Sequence, residues 1–591
     1  MVAETELERA SLLARQPGVD RTRVLKDFAD ATDTLIASGA SGNIVPAAME
    51  VYLDLLAETD ARTPGADNEE RFFRALQSVG EPTVARQIAQ LQRIVTADGP
   101  TAAKVRDRAE LERAIVRLRY EIASAPADKL AALEQDRLAN EARLVAIDAS
   151  LAGDPRFRVT DDAPVKIDEL RAALRPGEAY LKIVQLRNRA FGIMINGERA
   201  QVYALRAPAA TGGAIAARVR GSIRDDSGLL PFFDVAASYA LFDLITGPSR
   251  EAVLAAKALV IDPSGPLANL PAGVLVTDLD SVRRYAAGRK AAPNDLSRVS
   301  FLAARAEITG ALSPRSFLIA RALAPSRAPS AFIGFGQNAP STALGAQATM
   351  RVQFGSGCDV SYAELAGIMN ANQPVSAGEI GMAAAALGVP GAPAITGAAF
   401  SDRAVMAGSA QGDLARYQVL HFATHGLPET KAGCLRVPPS LVTTLAPPEG
   451  GTAPSDGLLS FSEIAGLRLD ANLVVLSACE TAAGVSGVGG RLGGQDESGA
   501  TLDGLVRAFI TANARAVLAT YWKVPAAQSS DAFIRTFYAR GRTESIGAAL
   551  RDAQVEAMKT PSTSHPYYWG AYFLVGDASK SMLSPARVAA R

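Results

Sequence analysis

Residues 418–426 read QVLHFATHG and residues 473–481 read LVVLSACET. Each stretch opens on a short, almost wholly apolar run and ends in side chains that can do chemistry: His425 with Gly426 in the first, Cys479 with Glu480 in the second. Three more runs share that character, Ala258-Leu-Val-Ile-Asp, Ala331-Phe-Ile-Gly-Phe and Ala516-Val-Leu-Ala-Thr, with helical segments between them. Strands this uniformly apolar are buried on both faces, as in a parallel sheet layered between helices. The fold class that follows is α/β, with a mostly parallel sheet and flanking helices. The carboxyl ends of such strands share one edge, where ligands bind. If the 418 and 473 runs are neighbours, an imidazole and a thiol face one cleft.

Upstream the pattern changes. Ala179-Tyr-Leu-Lys-Ile-Val, Ala190-Phe-Gly-Ile-Met-Ile and Ala200-Gln-Val-Tyr-Ala-Leu are β-rich, and they are separated by Arg187-Asn188 and Asn196-Gly197. Together they predict a small antiparallel meander whose second turn is of type I′. Up to about Gly153 the pattern is helical. Leu111, Ile115, Leu118 and Ile122 make one stripe and Leu130, Leu133, Leu144, Ile147 and Leu151 another, on either side of Ser124-Ala125-Pro126. That is the pattern of an antiparallel helical hairpin, closed by Asp154-Pro155. Residues 47–56 and 70–95 read as further helix pairs without a convincing 34-residue repeat. Downstream stripes run through Leu502 to Ile510, Phe533 to Tyr538 and Ile546 to Ala553. The expected division is a helical region at 1–105, a helical hairpin at 106–155, a meander with the first α/β units at 166–330, a catalytic part at 331–580 and a flexible tail at 581–591.

Two loops interrupt the α/β part. Pro438 to Asp456 is rich in Pro, Gly, Ser and Thr, and Gly484 to Gly499 is rich in Gly. The second has no GxxxxGK[ST], nor a GxGxxG opening a helix after a strand. A mobile loop beside an active site is the better expectation than a phosphate cradle.

Composition excludes several classes. Sixty-one Lys and Arg balance sixty-one Asp and Glu, so no global field draws the chain to nucleic acid or to an anionic membrane. The start has no basic, then apolar, leader, and no run of eighteen apolar residues occurs. Three cysteines without a CxxC pair fit a reducing compartment, and a soluble cytoplasmic protein is expected. Three histidines without HExxH leave little to build a zinc site from, and no metal or other cofactor is expected.

An imidazole beside a thiol favours the thiolate, and the pair can act as general acid/base and nucleophile. Fifty-four residues separate His425 from Cys479, close to the roughly 50 between His and Cys in caspase-type proteases. HFATHG at 421–426 and LVVLSACET at 473–481 resemble the paired motifs of the CHAT domain, a caspase-like family related to separase. The similarity continues through SDGLLSFSEI at 455–464, DGLVRAFITANARAVLATYWKVP at 503–525 and HPYYWGAYFLVGD at 565–577. LVIDPSGPLANLPAGVL at 259–275 and AFIGFG at 331–336 resemble the family's earlier strands, so the likeness covers about residues 110–580.

The resemblance implies a caspase-like fold and a cysteine endopeptidase. His425 would be the general acid/base, Cys479 the nucleophile, and the backbone N–H groups of Gly426 and Cys479 the oxyanion hole. The family's glycine after CET is displaced here by Ala482-Ala483, with Gly484 following. The expected partners are a protein or peptide substrate and a regulatory protein at the amino-terminal helices. The alternative is a caspase-like scaffold that binds without cutting.

In some caspase-like relatives an acid two places before the nucleophile selects a basic P1 residue. Here that place holds Ser477, and Asp456 is the best substitute, although Asp-Gly after a Pro/Gly-rich segment is also ordinary turn chemistry. His421 reads as structural, His565 as a hydrogen-bonding core residue, and Cys358 and Cys434 as inert.

Overall fold

A computed structural model describes residues 2–37, 46–80, 111, 127–152, 164–224, 230–340, 351–354, 358–369, 374–427, 430–432, 435–437, 439–445, 456–477, 498–522 and 528–584. The chain divides into two compact units, residues 82–163 and all the rest. In the smaller unit the second arm of the expected hairpin is a helix, Ala127–Ala152. The first arm lies outside the described residues, Leu111 excepted.

The larger unit is built on an eleven-stranded sheet. Its strands are β1 Glu178–Gln185, β2 Ala190–Asn196, β3 Ala200–Ala204, β4 Ala258–Pro263, β5 Glu307–Gly310, β6 Ser330–Asn338, β9 Ala394–Gly397, β10 Tyr417–Ala423, β16 Ala471–Leu476, β17 Ala514–Thr520 and β18 Tyr572–Gly576. The intervening strands make three small sheets: β7 Arg351–Phe354 with β8 Cys358–Ser361, β12 Thr430–Ala432 with β13 Leu435–Val437, and β11 Gly426–Leu427 with β14 Ser440–Val442 and β15 Leu458–Ser460. The order across the large sheet is β3-β2-β1-β4-β5-β18-β17-β16-β10-β6-β9. The meander β1–β3 is antiparallel and β18 runs antiparallel to β17, while the other pairings are parallel. The five apolar runs singled out in the sequence all lie in this sheet, at β4, β6, β10, β16 and β17.

Every residue of β16 and β17 is buried. Successive side chains point to opposite faces. Leu473 and Val475 join the core beneath helices Val235–Thr246, Gln528–Arg540 and Ile546–Lys559, whereas Val474 and Leu476 join the core against Ser498–Thr511. The amino-terminal helices Val2–Ala14, Arg21–Ala37, Pro46–Arg62 and Ala66–Gly80 share a third core with one face of the meander, in which Phe28, Tyr52, Phe72 and Phe73 meet Tyr180, Val184, Phe191 and Ile193. Glu50 pins the β1–β2 turn by accepting from the Asn188 and Arg189 amides at 2.6 and 3.2 Å, and Asp54 pairs with Arg189 at 2.6 Å.

Three local expectations change. The Asn196-Gly197 hairpin forms, but its central residues Gly197 and Glu198 do not take the positive φ of a type I′ turn. Instead Asn196 Oδ1 accepts from the Glu198 and Arg199 amides at 3.0 and 2.9 Å, an Asx turn that needs no left-handed residue. The loop expected from Pro438 to Asp456 contains a strand, β14, because the apolar SLV at 440–442 has β11 and β15 to pair with. The first residues of the expected flexible tail are held in place: Met582 is fully buried and its carbonyl accepts from Asn472 Nδ2.

Candidate active site

β10 and β16 are adjacent and parallel, paired from Val419↔Leu473 to Phe422↔Leu476. The alignment persists past the strands, where the Ser477 amide donates to the Phe422 carbonyl at 3.0 Å. The two apolar runs therefore end side by side at one edge, at Ala423 and Ser477, with β17 beyond β16 and β6 beyond β10. Ser477 is half-buried at that edge. Cys479 and the Gly484–Gly499 loop, save its last two residues, lie outside the described residues, as does Cys434; of Cys358 only the backbone is described.

His425 is 5 % exposed and sits where the chain leaves β10 for the small sheet. Its carbonyl accepts from the Val442 amide at 2.8 Å, and the preceding Thr424, fully buried, donates its hydroxyl to the Val442 carbonyl at 2.5 Å. The bond from Val442 to His425 makes Gly426↔Leu441 a non-hydrogen-bonded pair, so the Gly426 N–H points away from β14. Among the described residues β11 is an edge strand, so that N–H is directed off the small sheet.

On the other flank Gly336 pairs with Ala423, and a Cβ at Gly336 would come within 2.4 Å of the Ala423 carbonyl oxygen. Only glycine allows β6 to lie this close to the segment leading into His425.

Asp456 precedes β15, and its Oδ1 accepts from the Leu458 amide at 2.9 Å, the bond of a turn residue. His425, Val442 and Leu458 form a row across the small sheet. At about 4.8 Å per strand the ends of that row lie roughly 10 Å apart. Burial, with Asp402 and Glu463 nearby, pushes the Asp456 carboxyl up to about 6, while the Leu458 bond pulls it the other way. Asp402 comes from a separate segment that no motif in the sequence links to Asp456, whereas Glu463 stood inside the quoted SDGLLSFSEI without a role assigned to it. Thr424 and Gly336 stood inside the quoted HFATHG and AFIGFG without a role assigned to them.

The other two histidines face inward. His421 is bonded between Tyr538 Oη at 2.7 Å and Glu379 Oε1 at 3.1 Å. A carboxylate only accepts, so Nε2 carries the proton, and in the neutral ring Nδ1 takes the bond from the tyrosine hydroxyl. Burial holds that hydroxyl well above its ordinary pKa, so it remains a donor. His565 caps the helix Pro566–Trp569: its Nδ1 accepts from the Tyr567 amide at 3.2 Å and its Nε2 donates to the Pro231 carbonyl at 3.1 Å. Burial pushes its pKa down to about 4, against the pull of the Pro231 bond. Among the described residues no group of three His, Cys, Asp or Glu could hold a metal ion, and no helix is long and apolar enough to cross a membrane.

The sequence model of the CHAT domain matches residues 235–577, more than half of the chain. Two curated proteins are similar over 129 residues: Tetratricopeptide repeat protein 28 of Mus musculus, 35% identical, and that of Homo sapiens, 32% identical. The stretch is 21% of this chain and only 5% and 4% of those proteins, so the chain spans a small fraction of the length of the curated relatives it matches.

Proposed function

This chain belongs to the CHAT domain family, and on that premise we propose that it is a cysteine endopeptidase cleaving a protein substrate with a His425/Cys479 dyad. The observation that supports the reading is the shared register of β10 and β16, whose last paired residues, Phe422 and Leu476, lie side by side three residues before His425 and three before Cys479. The imidazole takes the Cys479 proton, and the thiolate attacks the scissile carbonyl carbon. The oxyanion is met by the N–H groups of Gly426 and Cys479. When the C–N bond breaks, His425 returns the proton to the leaving amine, and the acyl group remains as a thioester. Water, deprotonated by His425, then hydrolyses it.

The substrate backbone adds as an extended strand beside the small sheet. Ser477 lies at the cleft wall, and Asp456 takes a basic P1 side chain. The amino-terminal helices dock a regulatory protein, in the cytoplasm. No cofactor enters the chemistry. The test is a peptide library incubated with wild type and with Cys479→Ala: cleavage by wild type alone supports the proposal, and equal cleavage by both refutes it.

A second reading is a caspase-like scaffold that binds proteins without cutting them. The similarity to proteins named for a tetratricopeptide repeat favours it, since such repeats are binding surfaces. Wild-type protein that cuts no peptide would favour this reading.

A further inference from the structure

A general acid/base histidine works only if its ring is held within a fraction of an ångström of the atoms that exchange the proton. His425 stands just past the end of β10, where the ladder of the large sheet no longer fixes the chain. A single residue of β14 grips it instead. Val442 donates its N–H to the His425 carbonyl at 2.8 Å and accepts the Thr424 hydroxyl on its own carbonyl at 2.5 Å. Both polar groups of a single residue thus grip two consecutive residues of the neighbouring segment. From the opposite side, β6 abuts the segment at Gly336, where there is no room for a Cβ.

β14 is itself well anchored. It pairs with β15 through Ser440↔Ser460, Leu441↔Leu459 and Val442↔Leu458. The residues that continue it are bonded as well: the Thr443 amide donates to the Gly457 carbonyl at 2.8 Å, the Thr443 hydroxyl accepts from the Asp402 amide at 3.0 Å, and the Thr444 hydroxyl donates to the Gly397 carbonyl at 2.7 Å. The Val442 peptide is therefore a fixed point, and the His425 segment is clipped to it. Of the two halves of the clip, only the Thr424 hydroxyl belongs to a side chain.

We propose that Thr424 is a positioning residue for His425, acting through the Val442 peptide. The proposal rests on the dyad reading and deepens it. Thr424 touches no substrate. Its hydroxyl, wholly buried, fixes the backbone from which the imidazole projects. Thr424→Val keeps the shape but removes the donor, leaving the buried Val442 carbonyl without its bond, so the segment can lift from β14. Thr424→Ser keeps the donor and drops only a methyl group.

The experiment compares wild type, Thr424→Val and Thr424→Ser in the full chain. It measures kcat and KM on a peptide that wild type cleaves, the pH dependence of iodoacetamide alkylation of Cys479, and the thermal midpoint. The expected result is a kcat lowered roughly 10–100-fold in Thr424→Val at unchanged KM. Its alkylation midpoint moves up toward the ordinary thiol value, and Thr424→Ser restores both. Should Thr424→Val not fold, Thr424→Ala removes the same donor without the extra methyl and is read in the same way. A Thr424→Val enzyme with wild-type kcat and alkylation profile, even with a lower thermal midpoint, overturns the positioning role while leaving the dyad intact. Equal losses in Thr424→Ser and Thr424→Val overturn it too, since they would assign the effect to packing of the methyl group. If wild type and Cys479→Ala are equally inactive and Cys479 alkylates like a free thiol, the dyad reading fails first and the positioning role falls with it.

Discussion

At the meander end of the large sheet Lys182 on β1 lies buried against Asp262 on β4 at 2.7 Å, and the Tyr180 hydroxyl donates to the same carboxylate oxygen, also at 2.7 Å. At the other end, where β10 and β16 stop, the polar groups around His425 bond to backbone: Thr424 to Val442, Val442 to His425, Asp456 to Leu458. The first arrangement sets charge against charge deep in the core. The second ties main chain to main chain and to the short side chains of Thr424 and Asp456. The difference separates a region held by a buried ion pair from the one to which the proposed chemistry is assigned, although both belong to the same sheet.

The largest expected effect is at the β10–β16 end. Cys479→Ala and His425→Ala each lower peptide cleavage on the order of 10^4-fold or more, and the double variant is no worse than either single, because members of one catalytic unit fail together. Steady-state rates on one peptide check this, with circular dichroism to show that the variants remain folded.

The meander end is expected to respond in stability alone. Lys182→Met strands the buried Asp262 carboxylate and costs about 3–5 kcal/mol, much of it recovered when Asp262→Leu is added. Urea unfolding of the single and double variants measures the cost, and kcat should not change while the protein is folded. A large kcat change would break the division between the two regions.

His565 adds a pH dependence of stability. Its folded pKa is depressed to about 4 by burial, so the native state resists a proton that the unfolded chain accepts below its ordinary value of 6.5. The sign follows: stability is full above that value and falls as the pH drops toward 4, by about 3 kcal/mol at most. Denaturant midpoints between pH 7 and pH 4 should show the slope, and His565→Gln should flatten it.

The smallest effect expected is at Asp456. Asp456→Ala loses about 1.5–3 kcal/mol of preference for Arg over Leu at P1, the range for a hydrogen bond to a charged group. The carboxyl titrates near 6, so in wild type the Arg-to-Leu ratio of kcat/KM should be high above that pH and decline below it. An unchanged ratio in the variant would leave Asp456 as a turn residue.

The sequence revealed the strands that carry the site because β4, β6, β10, β16 and β17 are continuous apolar runs with nothing else to be. It did not reveal β5 or β9, four residues each, in which Glu307, Thr309 and Thr396 break the apolar pattern. The small sheet β11–β14–β15 was equally hidden, since strands of two or three residues have no period to detect. Its loss mattered, because this sheet holds Val442 and ties Thr424 and His425 down. The type I′ turn was misread because Asn-Gly carries two turn chemistries, a left-handed backbone and a side-chain cap, and the cap won at Asn196. His425 and Gly426 stood out because a reactive side chain following an apolar run is unusual, whereas Asp402 is brought to Asp456 only by the fold.

In the dyad reading His425 activates Cys479 at one edge of the sheet. A short pulse of iodoacetamide at neutral pH, followed by mass spectrometry of the three cysteines, tests it most directly. Cys479 should be labelled faster than Cys358 and Cys434, and His425→Ala should slow Cys479 to their rate. Equal labelling of all three thiols in wild type, unchanged by His425→Ala, would contradict it.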